Sequence, residues 1–192
     1  MYNLFIVITL FSNVEEPFVW SDTIREYVEA CPHVARNEKG KAMLSASVML
    51  AVEKSVGVPD HMLGMSIAAA CRESGYDTKA RGDHKFSKRG KPKAIGVLQL
   101  WPWVERYGVD RTNLVSSTSF WLNHIIKTRK KTVKICRPRS NILSWKQAWV
   151  AAVRAPKKEG RCREVSKHWK HFLRLRKMFK DNYERAHSDL TT

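Results

Sequence analysis

The 192-residue chain has no Cys-x-x-Cys pair, no glycine-rich phosphate loop and no low-complexity tract. Each absence removes a class of protein. Its four cysteines, Cys31, Cys71, Cys136 and Cys162, lack zinc-site spacing. The histidines His61, His84, His124, His168 and His171 are scattered, and His168-x-x-His171 has no partner at metalloprotease spacing. No metal and no cofactor is therefore expected. Strand signals are scarce and no internal repeat is evident, which leaves a mostly helical chain. Acidic residues are also in short supply, 18 Asp plus Glu against 35 Lys plus Arg, for a net charge of +17. So much charge of one sign calls for a polyanionic neighbour.

What is present argues for a folded chain. Hydrophobic residues make up 43% of the sequence and seven of them are Trp, a composition that excludes disorder. The length suits one domain with a sizeable core. The charge is uneven: residues 127 to 192 hold 20 Lys plus Arg against 5 Asp plus Glu, whereas residues 1 to 126 are nearly balanced. The basic surface thus belongs to the C-terminal third. Residues Tyr2 to Phe11 form an apolar run, too short to span a bilayer, that reads either as a short export signal or as a buried N-terminal segment. The expected organisation is a short apolar segment over residues 1 to 14 and a single domain over 15 to 192. No later stretch is a transmembrane candidate. For an exported protein disulfides are expected, three connectivities are open, and the pair Cys136 with Cys162, which brackets one helical segment, is favoured. Four buried thiols are the alternative.

Apolar periodicity predicts helices over residues 22 to 30 and 40 to 56, the second presenting Met43 or Leu44, Ser47 or Val48, and Ala51 or Val52 on one face before Gly57 and Pro59 end it. The next helix, His61 to Cys71 with Asp60 as N-cap, is apolar almost all round and should be central. Residues 77 to 93 are polar, basic and punctuated by Gly and Pro, which predicts a loop or a short β-hairpin. Further helices are expected over residues 114 to 129, 141 to 153 and 163 to 186. The last carries Trp169, Phe172, Leu175 or Arg176, Phe179 and Tyr183 along one stripe, with lysines and arginines around the remainder.

One carboxylate stands where an apolar run stops, in Ala69-Ala70-Cys71-Arg72-Glu73-Ser74-Gly75-Tyr76. Burial against aliphatic neighbours disfavours a charged carboxylate, so a Glu in this place can hold a proton for a leaving oxygen. That is the chemistry of a glycosidase acid. A rigid helix delivering Glu73 to the edge of the core provides the fixed placement that acid catalysis needs.

About twenty residues on stands a second motif. Glu73-Ser74-Gly75-Tyr76, then Ala80 and Gly82-Asp83, then Ala94-x-Gly96-x-Leu98-Gln99 and Pro102, resembles the Glu-Ser-x-Phe and Gly-x-Met-Gln pattern of soluble lytic transglycosylases and their goose-type lysozyme relatives. The resemblance covers residues 60 to 125. It implies a mostly α, lysozyme-like globular domain with a small β-hairpin or loop beside the active-site cleft. It further implies cleavage of the bond between N-acetylmuramate and N-acetylglucosamine in peptidoglycan, with Glu73 as general acid and then base and 1,6-anhydromuramoyl ends as product. By the same resemblance Ser74 holds the carboxylate or a substrate acetamido group, Gln99 donates to sugar, and Gly96 allows close backbone approach. Trp101 and Trp103 lie within reach as stacking platforms, and Asp83, or less favourably Glu105, would be the base for a hydrolytic outcome. The nearest match to the family's Ala-Tyr-Asn-Ala-Gly segment is Ala152-Val153-Arg154-Ala155-Pro156, where Tyr and Asn are replaced; Tyr107 is a candidate for the missing hydroxyl. The implied setting is periplasmic, extracellular or phage-associated, the protein a monomer, and the partners glycan strands and anionic envelope polymers rather than nucleic acid. A different class of reading is a non-enzymatic protein whose basic, Trp-dotted C-terminal third holds nucleic acid or an anionic polymer.

Overall fold

In the computed structural model, residues 15–86, 90–138, 140–153 and 167–188 are described, and among them the chain is mostly helical with one small antiparallel sheet. The N-terminal apolar run, residues 154 to 156 of the altered motif and Cys162 lie outside the described residues. Helix α1 (Glu15–Glu29) buries Val19, Trp20, Thr23, Ile24, Tyr27 and Val28, the stripe that a 3.6-residue period requires. Helix α2 (Lys39–Ser55) buries Ala42, Ala46, Met49, Leu50, Val52 and Glu53. Of the face expected from the sequence, Val52 is buried and Met43 and Val48 pack against the core, whereas Leu44 and Ser47 are exposed and Ala42, Ala46, Met49 and Leu50 extend the buried side.

Helix α3 (Met65–Glu73) is central, with every residue from Met65 to Cys71 buried. It starts later than expected, since Asp60 opens a separate 3-10 turn, Asp60–Met62, and Gly64 serves as N-cap. Gly64 has φ +94°, and a Cβ there would lie 2.5 Å from Leu175 Cδ2, so glycine alone fits. The cap is supplied from another helix. Glu53 of α2 accepts hydrogen bonds from Gly64 N, from Ser66 N at 2.5 Å and from Ser66 Oγ at 2.6 Å, satisfying donors at the start of α3. Near the far end of α3, Cys71 is bridged to Cys31, with the two Cα atoms 6.0 Å apart. Of the three connectivities open from the sequence, this bridge belongs to the one that leaves Cys136 to pair with Cys162. Cys136 is also disulfide-bonded, while Cys162, the partner expected of it, lies outside the described residues.

After α3 the chain forms β1 (Arg81–Gly82) and β2 (Ala94–Ile95), antiparallel, with Arg81 opposite Ile95 and Gly82 opposite Ala94. Residues 95 to 100 then make a tight turn closed by Leu100 N to Ile95 O at 3.0 Å. The apolar residues Ile95 to Leu98 form no helix. Gly96 at φ +83° and Gln99 at φ +48° hold left-handed conformations that a right-handed helix cannot accommodate. A 3-10 segment, Pro102–Tyr107, leads to α4 (Leu114–Cys136), capped by Asn113 Oδ1 accepting from Ser116 N at 2.9 Å. Helix α4 runs to Cys136, beyond the expected end near residue 129, and packs most extensively against α5 (Asn141–Val153). Arg129 stitches that pair, donating to Ser144 Oγ at 2.7 Å and Asn141 Oδ1 at 2.6 Å with its guanidinium over the Trp145 ring. Helix α6 (Lys167–Ser188) lies against α1 and α3 and inserts Trp169, Phe172 and Leu175 into the core, as its stripe predicts. Tyr183 at the stripe's end stays exposed. Among the described residues one hydrophobic cluster draws on each of these six helices, with α3 in its middle.

Candidate functional site

Ala69 and Glu73 are four residues apart on α3 and so share a face. That face opens into a cleft of about 410 Å³. The hairpin and its turn supply Asp83, Leu98, Gln99, Leu100 and Trp101 to one wall. Trp103 of the 3-10 segment and Phe120, Trp121 and His124 of α4 supply another, and Trp149 of α5 with His168 of α6 complete the lining. Five aromatic rings, from Trp101, Trp103, Phe120, Trp121 and Trp149, and four side chains that can exchange protons, Glu73, Asp83, His124 and His168, therefore converge on the end of the most buried helix.

Glu73 Oε1 lies 2.6 Å from His168 Nε2, with side-chain exposures of 33% and 13% respectively. Desolvation of Glu73 is thus partial, and its strongest polar neighbour is an imidazole that the sequence does not associate with it. The His168 ring is parallel to that of Trp149, at an interplanar angle of 3°. Trp149 is itself buried, and its Nε1 has no hydrogen-bond partner among the described residues. Trp121, Trp169 and Phe172 meet the Trp149 ring edge-on and fix its plane. The position of His168 is consequently set by packed aromatics on three helices.

Asp83 and Gln99 both hold left-handed backbone conformations, at φ +57° and +48°. Asp tolerates this conformation whereas Gln adopts it uncommonly, and both positions line one cleft. Asp83 Oδ2 accepts from Trp101 Nε1 at 2.9 Å, which aims the indole along the cleft wall. The Gln99 side chain turns inward: its Nε2 donates to Gly96 O at 2.9 Å and Ala80 O at 3.2 Å, tying the turn to the hairpin. A Cβ on Gly82 would lie 2.3 Å from Gln99 Oε1, so the glycine makes room for that amide. Gly96 is needed for a similar reason, since its Cβ would lie 1.8 Å from Arg111 O. These residues build the wall on which Trp101 is mounted.

Of the remaining expected residues, Trp103 lines the cleft and Ser74, Tyr107 and Glu105 do not. Ser74 is not in the cleft lining; its Oγ donates to Val97 O at 2.8 Å and so joins the end of α3 to the turn. Tyr107 stands outside the lining, exposed, with Phe120 at one side and Arg106 over its ring. Glu105 forms an ion pair with Arg111 at 2.6 Å and is likewise outside the lining. Trp103 lines the cleft and leans on Phe120 and His124. Burial, aided by Lys127 and Lys131, pushes the His124 imidazole below its usual range, so it is neutral at pH 7.

Sequence reasoning missed His168, Trp149, Phe120, Trp121 and His124 as lining residues. Helical periodicity held a partial signal for one of them: His168 directly precedes Trp169, at the border of the buried stripe of α6. Among the described residues no group of three or more His, Cys, Asp or Glu side chains converges as a metal site, and no helix is long and apolar enough to cross a membrane. No family model, curated protein or solved structure matches the chain.

Proposed function

We propose that the cleft cleaves the β-1,4 glycosidic bond between N-acetylmuramate and N-acetylglucosamine in peptidoglycan, on a lysozyme-like fold of the lytic transglycosylase type. One observation carries the reading: a carboxyl group, Glu73, sits at the end of a rigid, packed helix and faces a cleft walled by Trp101, Trp103 and Trp149. Aromatic faces suit the apolar faces of sugar rings, and a fixed acid suits the glycosidic oxygen between them. In the proposed reaction Glu73 gives its proton to the oxygen leaving C1 of muramate as the C1–O bond breaks. The 6-hydroxyl of the same sugar then bonds to C1 and returns its proton to Glu73, and no water is consumed. The product is a 1,6-anhydromuramoyl end.

The favoured partner is a glycan strand in an anionic envelope. The lysines on α4 (Lys127, Lys130, Lys131 and Lys134) and the cations on α6 (Lys170, Arg174, Lys177 and Lys180) are exposed, a distribution suited to adsorption on a polyanion. The Cys31–Cys71 bridge favours an oxidising, periplasmic or extracellular setting. The second reading, a binding protein that uses only this basic surface, gives Glu73 no role.

The two are separated by Glu73→Gln, which keeps shape and removes the transferable proton. Release of muropeptides from purified peptidoglycan should fall on the order of a hundred- to ten-thousand-fold. An unchanged rate would overturn the assignment. Mass analysis of the products should find ends one water lighter than those of hydrolysis. Reducing muramate ends alone would make the enzyme a hydrolase, with Asp83 as its base.

A further inference from the structure

Glu73 Oε1 is engaged by His168, so the oxygen left to serve a leaving group is Oε2. We propose that His168 is the positioning residue of this acid: its Nε2–H donates to Oε1, fixes the plane of the carboxyl group so that Oε2 faces the glycosidic oxygen, and stabilises the carboxylate formed once the proton has left. The inference rests on the peptidoglycan reading and deepens it.

The geometry supports this at three levels. The 2.6 Å separation is that of a hydrogen bond, in which a proton must lie between the two atoms. The donor cannot swing away cheaply, because the imidazole is mostly buried and lies parallel to Trp149, whose own plane is held by three further rings. The carboxyl group is carried by α3 and the imidazole by α6, two packed helices, so the pair is set by the core rather than by a loop. A side chain as exposed as Glu73 would otherwise sample several rotamers, and a general acid needs one.

Protons balance without His168 changing its state. The Oε2–H bond breaks as the leaving oxygen gains its proton, the 6-hydroxyl proton later re-forms Oε2–H, and the His168 Nε2–H stays between the two side chains throughout. His168 therefore acts on the rate of turnover rather than on substrate capture. That separates it from a residue that only supports the fold.

The test uses the full chain with soluble, uncrosslinked glycan strands. His168→Phe keeps a ring against Trp149 but removes the donor, and it should lower kcat by about 10- to 100-fold with KM nearly unchanged, the worth of one hydrogen bond to a charged group. His168→Gln retains an N–H donor and should keep a larger share of kcat. In His168→Ala, added imidazole should restore part of the lost rate. Independently of turnover, nitrogen-15 spectra should show the His168 Nε2 resonance moving on Glu73→Gln substitution. An unmoved resonance means that the pair does not form, and it overturns the proposal whatever the activity. A phenylalanine variant with normal kcat, or one whose loss falls on KM, also overturns it, as does a glutamine variant as inactive as Glu73→Gln, which would make His168 the acid itself. A wild-type chain that leaves peptidoglycan intact removes the substrate reading together with this role. An active wild type that tolerates His168→Phe removes the role of His168 alone.

Discussion

Glu53 gives the most direct physical test of how α3 is held. It is wholly buried, and its carboxylate accepts from Gly64 N, Ser66 N and Ser66 Oγ at the start of the helix that ends in Glu73. Burial pushes its carboxyl up from 4.5 to about 7, the hydrogen bonds and the charge of Arg176 only partly opposing the desolvation. The folded chain therefore binds this proton more tightly than the unfolded chain does. The contribution is fully present below pH 4.5 and is lost as pH rises through about 7. A difference of that size corresponds to about 3 kcal/mol across the window.

Glu53→Gln removes the titration while keeping the volume. Urea denaturation of the disulfide-intact chain at a series of pH values from 4.5 to 8 should show the wild type losing about 3 kcal/mol relative to the variant over that range. At pH 4.5 the wild type should be the more stable, because the amide offers one acceptor and turns its N–H₂ toward backbone donors, a mismatch costing about 1–3 kcal/mol. Near pH 8 the two should converge or cross, as the wild type then carries a buried charge. Parallel stability curves for the two proteins would refute the reasoning, since they would mean that Glu53 binds its proton equally well folded and unfolded.

Two further outcomes follow from the same geometry. Gly96→Ala should destabilise the hairpin and the cleft wall by about 2 kcal/mol or more, because the left-handed backbone is strained for alanine and the added Cβ would overlap Arg111 O; a denaturation midpoint within error of wild type would contradict this. Adsorption of the chain to anionic cell-wall polymer should weaken steadily with added salt, as the screening length shrinks from about 10 Å at 0.1 M to about 3 Å at 1 M. Retention on the polymer that is indifferent to salt would exclude the exposed lysines and arginines of α4 and α6 as its cause.

The helices were readable in the sequence where burial is repetitive. Met65 to Cys71 is apolar on every side and so had to be central, and Trp169, Phe172 and Leu175 mark their own stripe. Periodicity was less informative where small residues face the core. Ala42 and Ala46 carry little hydrophobic weight, so the face expected of α2 included Met43, Val48 and Val52, which do meet the core, and omitted these two buried alanines. The run Ile95 to Leu98 is too short for periodicity to separate a helix from a turn; only the conformations of Gly96 and Gln99 decide it. Cysteine spacing did not single out Cys31 with Cys71, because the bridge reflects where α1 ends beside α3 rather than any local pattern.

The candidate site divides in the same way. Glu73, Asp83 and Trp101 could be named because they sit at or near boundaries where an apolar run meets Gly-rich chain, and all three line the cleft. His168 could not, since its relation to Glu73 exists only after α6 has packed on α3. Local motifs can mark an acid, but the group that orients it arrives through the core. The same holds at both ends of α3. Its first turn is held by a carboxylate from α2, and its last is held by the Ser74 bond to Val97 O and, through Glu73, by an imidazole from α6. The position of Glu73 is thus fixed by contacts from three separate segments. A change at Glu53, far from the cleft in sequence, should therefore be felt first as a loss of helix stability, and at the carboxyl group of Glu73 only to the extent that α3 shifts as a rigid rod.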